Sequence, residues 1–76
     1  MKMEILAEKR DILRSNWREV RTKRLKLKNI MIDRECSIAE IRDNREYKEL
    51  KKEQKHLSRM IKHVEHKIIR AAVNGE

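Results

Sequence analysis

The chain has 76 residues, of which 45% are charged and 3% aromatic, and its 21 Lys and Arg against 13 Asp and Glu give a net charge of +8. This length allows one small domain, the single Cys36 excludes an intramolecular disulfide, and no stretch resembles a secretory signal or a membrane span. These properties favour a cytoplasmic protein whose partners are polyanions or acidic protein surfaces.

Helix-breaking residues are almost missing from the sequence. There is no proline, and the one glycine is Gly75, so backbone chemistry permits helix along nearly the whole chain. An apolar seven-residue repeat runs from Met3 to Ile41 and restarts in a different phase from Tyr47 to Ala71. Such a repeat is typical of helices packed as a coiled coil or bundle. The predicted fold is a single all-α domain over the full chain.

The first predicted helix covers about residues 2–42. Two alternative breaks lie within it, because Asn16 with Glu19 and Ser37 with Glu40 both have the spacing of a capping box. The apolar repeat passes through both places without a change of phase, which favours an uninterrupted helix. A genuine break at Asn16 would give three helices instead of two.

A turn is predicted at about residues 43–44, where the apolar repeat changes phase. Asp43 and Glu46 have the spacing of a capping box, which would begin a new helix there. The second predicted helix covers about residues 45–73. Gly75 then ends it, because glycine readily adopts the left-handed conformation found at helix C-termini.

Antiparallel pairing of these two helices places Arg34 opposite Gln54. A polar pair at one level of an apolar seam can fix the register of two helices. The alternative is that Arg34 carries its charge outward along its aliphatic stem. In this register the first helix extends beyond the second, so Met3, Leu6 and Leu13 lack an intrachain partner.

A second apolar line on the first helix lies away from the seam. Exposed apolar faces on a highly charged chain favour self-association. The prediction is therefore an antiparallel helical hairpin of two long helices that dimerises into a four-helix bundle or coiled coil. The alternative is a set of scattered surface aliphatic residues, which small proteins commonly carry. The predicted dimer interface consists of Leu6, Leu13, Leu25, Ile32, Cys36 and Ala39.

Basic residues concentrate in the first half of the first helix and along one stripe of the second. Residues 9–28 hold nine Lys and Arg against Asp11 and Glu19, so they contribute +7 of the total +8 (9 − 2 = 7). Arginine forks bind phosphate in bidentate fashion, which favours contacts to a DNA or RNA backbone over base reading. For the lysine stripe, the alternative is a solvated outer face. The candidate nucleic-acid-binding residues are Arg10, Arg14, Arg18, Arg21, Arg24, Lys28, Lys48, Lys52, Lys55, Arg59 and Lys62.

Other kinds of site receive little support from the sequence. Trp17 and Tyr47 occupy seam positions, which predicts packing in the core rather than stacking on bases. His63 and His66 are three residues apart, but Cys36 is distant from them, so no metal or other cofactor is predicted. No catalytic motif is present, and two helices offer no deep pocket for a small-molecule substrate. No enzyme activity is predicted.

The sequence therefore predicts a small basic, non-enzymatic helical protein that associates with DNA or RNA through phosphate contacts, in a regulatory or architectural role. The alternative is a protein-protein interaction module that docks on an acidic partner protein. It would be an adaptor or inhibitor of the kind that phages and mobile elements often carry. No membrane association is expected, because charges surround the first helix on several sides and bulky aromatic residues are scarce.

Overall fold

The computed structural model describes residues 2–75, with side chains from residue 3 onward. The described residues form three helices and no strand: α1 (Lys2–Asp33), α2 (Ile38–Asp43) and α3 (Arg45–Val73). Contacts between the helices pair α1 with α3, and the short α2 packs against α3. The molecule measures 55 × 16 × 14 Å. The predicted all-α hairpin of two long helices is confirmed.

The first long helix ends earlier than the sequence predicts. It stops at Asp33, whereas the predicted helix runs to about residue 42, and that part of the prediction is wrong. Glu35 has a positive φ of 61°. The amides of Glu35 and Cys36 donate to carbonyl oxygens in the last turn of α1 at 2.9 and 3.0 Å. These two bonds form a Schellman motif, in which glycine usually takes the left-handed position. Because glutamate occupies the left-handed position here, no glycine or proline in the sequence indicates that α1 ends.

A capping box then begins α2. The amide of Glu40 donates to Ser37 Oγ at 3.1 Å, and the amide of Ser37 donates to Glu40 Oε1 at 3.3 Å. Of the two alternative breaks, the one at Ser37 is therefore real, while α1 runs through Asn16 without interruption. The break allows α2 to fold back so that Ile41 is buried. Burial of this apolar side chain stabilises the interrupted arrangement.

Asn44 separates α2 from α3 and caps the second of them. Its backbone is extended, and its Oδ1 accepts a hydrogen bond from the amide of Tyr47 at 2.9 Å. The N-cap is thus Asn44, not Asp43 as the capping-box spacing predicts. At the other end, α3 stops at Val73, and Gly75 adopts a positive φ of 73°.

The two long helices meet in a register that differs from the predicted one. Trp17 Nε1 donates to Ser58 Oγ at 2.8 Å, and Arg24 Nε donates to Gln54 Oε1 at 2.8 Å. Gln54 therefore faces Arg24 instead of Arg34, which is a shift of ten residues along α1 (34 − 24 = 10). The shift arises because the connection between the long helices includes the turn after α1 and the whole of α2.

The shifted register covers the N-terminal half of α1 with α3. Leu13 and Val20 of α1 form a buried cluster with Leu57 and Val64 of α3, and Leu6 packs against it. The prediction that Leu6 and Leu13 lack an intrachain partner is therefore wrong. No large side chain of the described residues is fully enclosed, because two helices make a single layer of contact.

Replacement of Glu35 by glycine is expected to stabilise the fold. A left-handed conformation costs a non-glycine residue about 1–2 kcal/mol, and the greater freedom of glycine in the unfolded chain offsets part of that gain. We expect the free energy of unfolding to rise by about 0.5–1 kcal/mol. Urea denaturation followed by the fluorescence of Trp17, the only tryptophan, measures it.

The matched control for this change is Glu53→Gly in the middle of α3. Glycine in an exposed helix interior should lower the free energy of unfolding by about 1 kcal/mol. Equal destabilisation by the two changes would contradict the left-handed conformation of Glu35.

Candidate nucleic-acid interface

Basic residues of α1 and α3 converge on one flank of the hairpin. Successive residues of an α-helix are about 100° apart, and this spacing puts three basic residues of α1 beside three of α3. The two sides adjoin, since Arg14 Nη2 of α1 lies 2.7 Å from Glu65 Oε1 of α3 and Lys28 lines a groove with Lys51. All six side chains are exposed. This basic flank consists of Arg14, Arg21, Lys28, Lys51, Lys55 and Lys62.

Four other predicted nucleic-acid-binding residues lie on outward surfaces. Arg18 is exposed on α1 four residues from Arg14, at the outer border of the basic flank, and Lys48, Lys52 and Arg59 are exposed on α3. Their helical positions direct them away from the seam between the two long helices. The predicted lysine stripe of the second helix is exposed, and Lys55 and, by its helical position, Lys62 belong to the basic flank as well.

The remaining two predicted residues, Arg10 and Arg24, lie half-buried at the seam. Arg10 Nε is 3.5 Å from Asp11 Oδ1, yet it is buried and has no hydrogen-bond partner among the described residues. The contact with Asp11 is thus ionic, without the alignment of a hydrogen bond.

Arg24 makes two side-chain hydrogen bonds across the seam. Its Nε donates to Gln54 Oε1 at 2.8 Å, and its Nη1 donates to Tyr47 Oη at 3.0 Å. The guanidinium carbon also lies 5.8 Å from the centre of the Tyr47 ring, within the range of a cation-π interaction. The arginine that pairs with Gln54 in the seam is Arg24 and not the predicted Arg34, which is exposed.

Three residues of this region are missing from the predicted set. Lys51 and Ser58 line the groove beside Arg24, and Arg42 lines the neighbouring groove with Lys28 and Lys51. The four-residue spacing of Lys51 and Lys55 could have revealed Lys51, because residues four apart share a helix face. Arg42 could not be found in this way, since the predicted first helix included it.

Carboxylates on this side of the molecule are close to arginines. Glu65 pairs with Arg14 at 2.7 Å, and Asp11 lies 3.5 Å from Arg10. Exposed ion pairs of this kind contribute little to stability, with a median of about 0–1 kcal/mol, but they place negative charge beside positive charge. On the opposite flank, glutamates lie between the lysines. These glutamates are Glu19, Glu46, Glu49 and Glu53.

The aromatic and histidine residues do not form a stacking surface or a metal site. Trp17 packs against the core cluster and Tyr47 is buried, which confirms their predicted core packing. The guanidinium of Arg21 lies 5.8 Å from the centre of the Trp17 ring. His63 and His66 line a shallow groove. Within residues 2–75, no group of three or more His, Cys, Asp or Glu is placed to hold a metal ion.

Comparisons with protein-family models, curated proteins and solved structures find no match to this chain. None of the helices in the described part of the chain has a segment long and apolar enough to cross a membrane. The case for a function therefore depends on the side chains of this chain and their geometry.

The residues of the predicted dimer interface fall into two groups, one inside and one outside the intrachain core. Leu6 and Leu13 belong to the intrachain core, while the rest of the predicted interface is half-buried or exposed. Leu25 and Ile32 lie on the same side of α1 as the basic flank. A two-fold dimer through them would place two basic flanks against each other, which like-charge repulsion opposes. The homodimer stays a prediction. The residues outside the core are Leu25, Ile32, Cys36 and Ala39.

The double change Leu25→Asp and Ile32→Asp is expected to dissociate a homodimer that uses this stripe, because it buries carboxylates in the interface. Light scattering at several protein concentrations measures the mass. The dimer fraction of the unchanged chain should rise with salt, since salt screens the repulsion between basic flanks.

The control changes Ile5→Asp and Ile12→Asp alter exposed isoleucines on the opposite flank, where 66% and 56% of their surface is accessible. They should leave the mass unchanged. A protein that stays monomeric at every concentration and salt would contradict the predicted dimer.

Proposed function

We propose that this chain is a non-enzymatic nucleic-acid-binding protein with a regulatory or architectural role, and that it contacts phosphates through the basic flank. The observation that supports this proposal is the convergence of basic side chains from two helices. A stripe of lysines on one helix is common on solvated surfaces, whereas here distant parts of the sequence contribute to one exposed positive surface. Polyanions are the partners that such a surface attracts most strongly.

The dimensions of the basic flank suit a nucleic-acid backbone. From Arg14 to Lys28, α1 rises about 21 Å at 1.5 Å per residue. Duplex DNA rises 3.4 Å per base pair, so the flank is about as long as six base pairs. The hairpin is 14–16 Å across, and both long helices can therefore approach the same stretch of backbone.

The positions of the two aromatic rings favour contacts to phosphates over contacts to bases. The two aromatic rings pack in the hairpin, which leaves the basic flank without a platform for stacking bases. Lys and Arg on an exposed flank neutralise phosphates and release condensed counterions. Binding of this kind shows little preference for sequence.

The first test compares salt dependence in two lysine-to-glutamine triple variants. In one variant, the basic flank loses Lys28, Lys51 and Lys55. For six phosphate contacts, duplex affinity of the unchanged chain should fall about 10³-fold between 50 and 200 mM salt. The variant should lower the slope of log affinity against log salt by about 3. Fluorescence anisotropy with a labelled duplex measures both quantities.

The matched control changes Lys9, Lys26 and Lys67 to glutamine. These lysines are exposed and lie away from the basic flank, so the control loses the same charge and should keep the salt slope. An equal effect of the two triple variants would mean that net charge alone attracts the duplex. Absence of binding to duplex or single strands at about 50 mM salt and micromolar protein would overturn the proposal.

A second candidate function is docking on an acidic partner protein. The groove at the turn end of the hairpin favours it, because Lys28, Arg42 and Lys51 surround an apolar floor that includes Ile38 and Ile41. The side chain of Ile38 is left 84% exposed. A partner that presents an apolar residue between carboxylates would match this groove in shape and charge.

A pulldown from native lysate, with and without nuclease, distinguishes the two functions. Capture that nuclease abolishes supports nucleic-acid binding. Docking on a protein predicts nuclease-resistant capture that Ile38→Ser weakens, because the change removes apolar surface from the groove while it keeps the charge. The same variant should bind a duplex as tightly as the unchanged chain.

A further inference from the structure

The groove between α1 and α3 beside Arg24 has the donors that one phosphate group requires. It is lined by the seam arginine, two lysines of the basic flank, a glutamine and a serine, and its volume is about 320 Å³. Residues from both long helices contribute, so the register of the hairpin determines its composition. The lining residues are Arg24, Lys51, Gln54, Lys55 and Ser58.

Arg24 is held in place before any ligand arrives. Gln54 and Tyr47 accept hydrogen bonds from its Nε and Nη1 at 2.8 and 3.0 Å. A guanidinium has five N–H donors, so three remain without a partner among the described residues. Both acceptors are neutral, which leaves the positive charge of Arg24 intact. A fixed fork with free donors loses little entropy when it binds an anion.

Ser58 adds a directed hydroxyl donor. Its Oγ accepts the hydrogen bond from Trp17 Nε1 at 2.8 Å. Because the oxygen is already an acceptor towards Trp17, the hydroxyl hydrogen is free to point into the groove. The same contact connects the groove to the only tryptophan of the chain.

Lys51 and Lys55 raise the positive potential of the groove. No ion pair joins Lys51, Lys55 or Arg24 to a carboxylate among the described residues. Like charges in one place repel each other, and a bound anion would relieve that repulsion. The unbalanced charge and the free donors therefore point to the same class of ligand.

We propose that this groove binds a single phosphodiester group of a nucleic-acid backbone. Arg24 and Ser58 donate hydrogen bonds to the phosphate oxygens, and Lys51 and Lys55 supply charge. The proposal rests on the proposed function and makes it more specific, since one directional contact would fix the position of the hairpin along the backbone. The rest of the basic flank would then contribute attraction without fixed geometry.

The first measurement compares Arg24→Lys with Arg18→Lys at an exposed position of α1. Both variants keep the charge, but only the first removes a fork held by Gln54 and Tyr47. Arg24→Lys should weaken duplex binding about tenfold, whereas Arg18→Lys should change it less than about twofold. Circular dichroism confirms that both variants stay helical.

The second measurement uses inorganic phosphate and the fluorescence of Trp17 in the unchanged chain. Phosphate bound at Ser58 alters the hydrogen bond to the indole, so emission should change and saturate. Chloride at the same ionic strength should not produce this change, and Arg24→Lys should remove it. This measurement needs no variant to show binding, so a poorly folded variant cannot hide the result.

The outcomes distinguish failure of the groove proposal from failure of the proposed function. If a duplex binds but Arg24→Lys behaves as Arg18→Lys does, the groove proposal is overturned and the proposed function stands. If phosphate changes Trp17 emission through Arg24 but no nucleic acid binds, the anion site stands and its phosphodiester ligand is overturned, together with the proposed function. Absence of duplex binding together with an unchanged Trp17 emission in phosphate overturns both the groove proposal and the proposed function.

Discussion

The polar contacts that fix α1 against α3 determine most of what this molecule presents to a partner. A seven-residue apolar repeat packs similarly after a slip of one heptad, so the apolar seam alone specifies register weakly. Such a slip would move Arg24 from Gln54 to Ile61 and remove the partner of the Trp17 indole N–H. An unsatisfied buried donor costs about 1–3 kcal/mol. Arg24 with Gln54 and Trp17 with Ser58 therefore select one register.

The basic flank and the groove beside Arg24 depend on this same register. In the register predicted from sequence, Arg24 would lie near Val64, far from Lys51 and Lys55 along α3. The observed register brings these lysines beside Arg24. The residues that specify the fold thus also assemble the groove, and one arginine has both roles. A charged residue in a largely apolar seam is costly, and this double role gives a physical reason for the presence of Arg24.

The fold class could be predicted because it depends on local properties: proline is missing, glycine occurs once near the end, and apolar residues repeat every seven positions. The length of the first helix could not. It ends where Glu35 adopts a left-handed conformation that no glycine marks, and the capping-box spacing of Ser37 and Glu40 competes there with an apolar repeat that continues without a change of phase. The choice between two capping boxes followed from the burial of Ile41, a tertiary contact. The error in register and the omission of Arg42 from the site both follow from that break.

The thin core and the basic flank act on stability in opposite directions. The apolar seam stabilises the hairpin through one layer of contact in which no large described side chain is fully enclosed. Repulsion among the side chains of the basic flank weakens the same hairpin, because six cations lie on one side of a structure 14–16 Å across. A polyanion that binds the folded chain removes this repulsion and shifts the equilibrium towards the folded state. The repulsion that opposes folding of the free protein is thereby relieved on binding and adds to the affinity. The register of the two helices determines which side of the hairpin carries this charge.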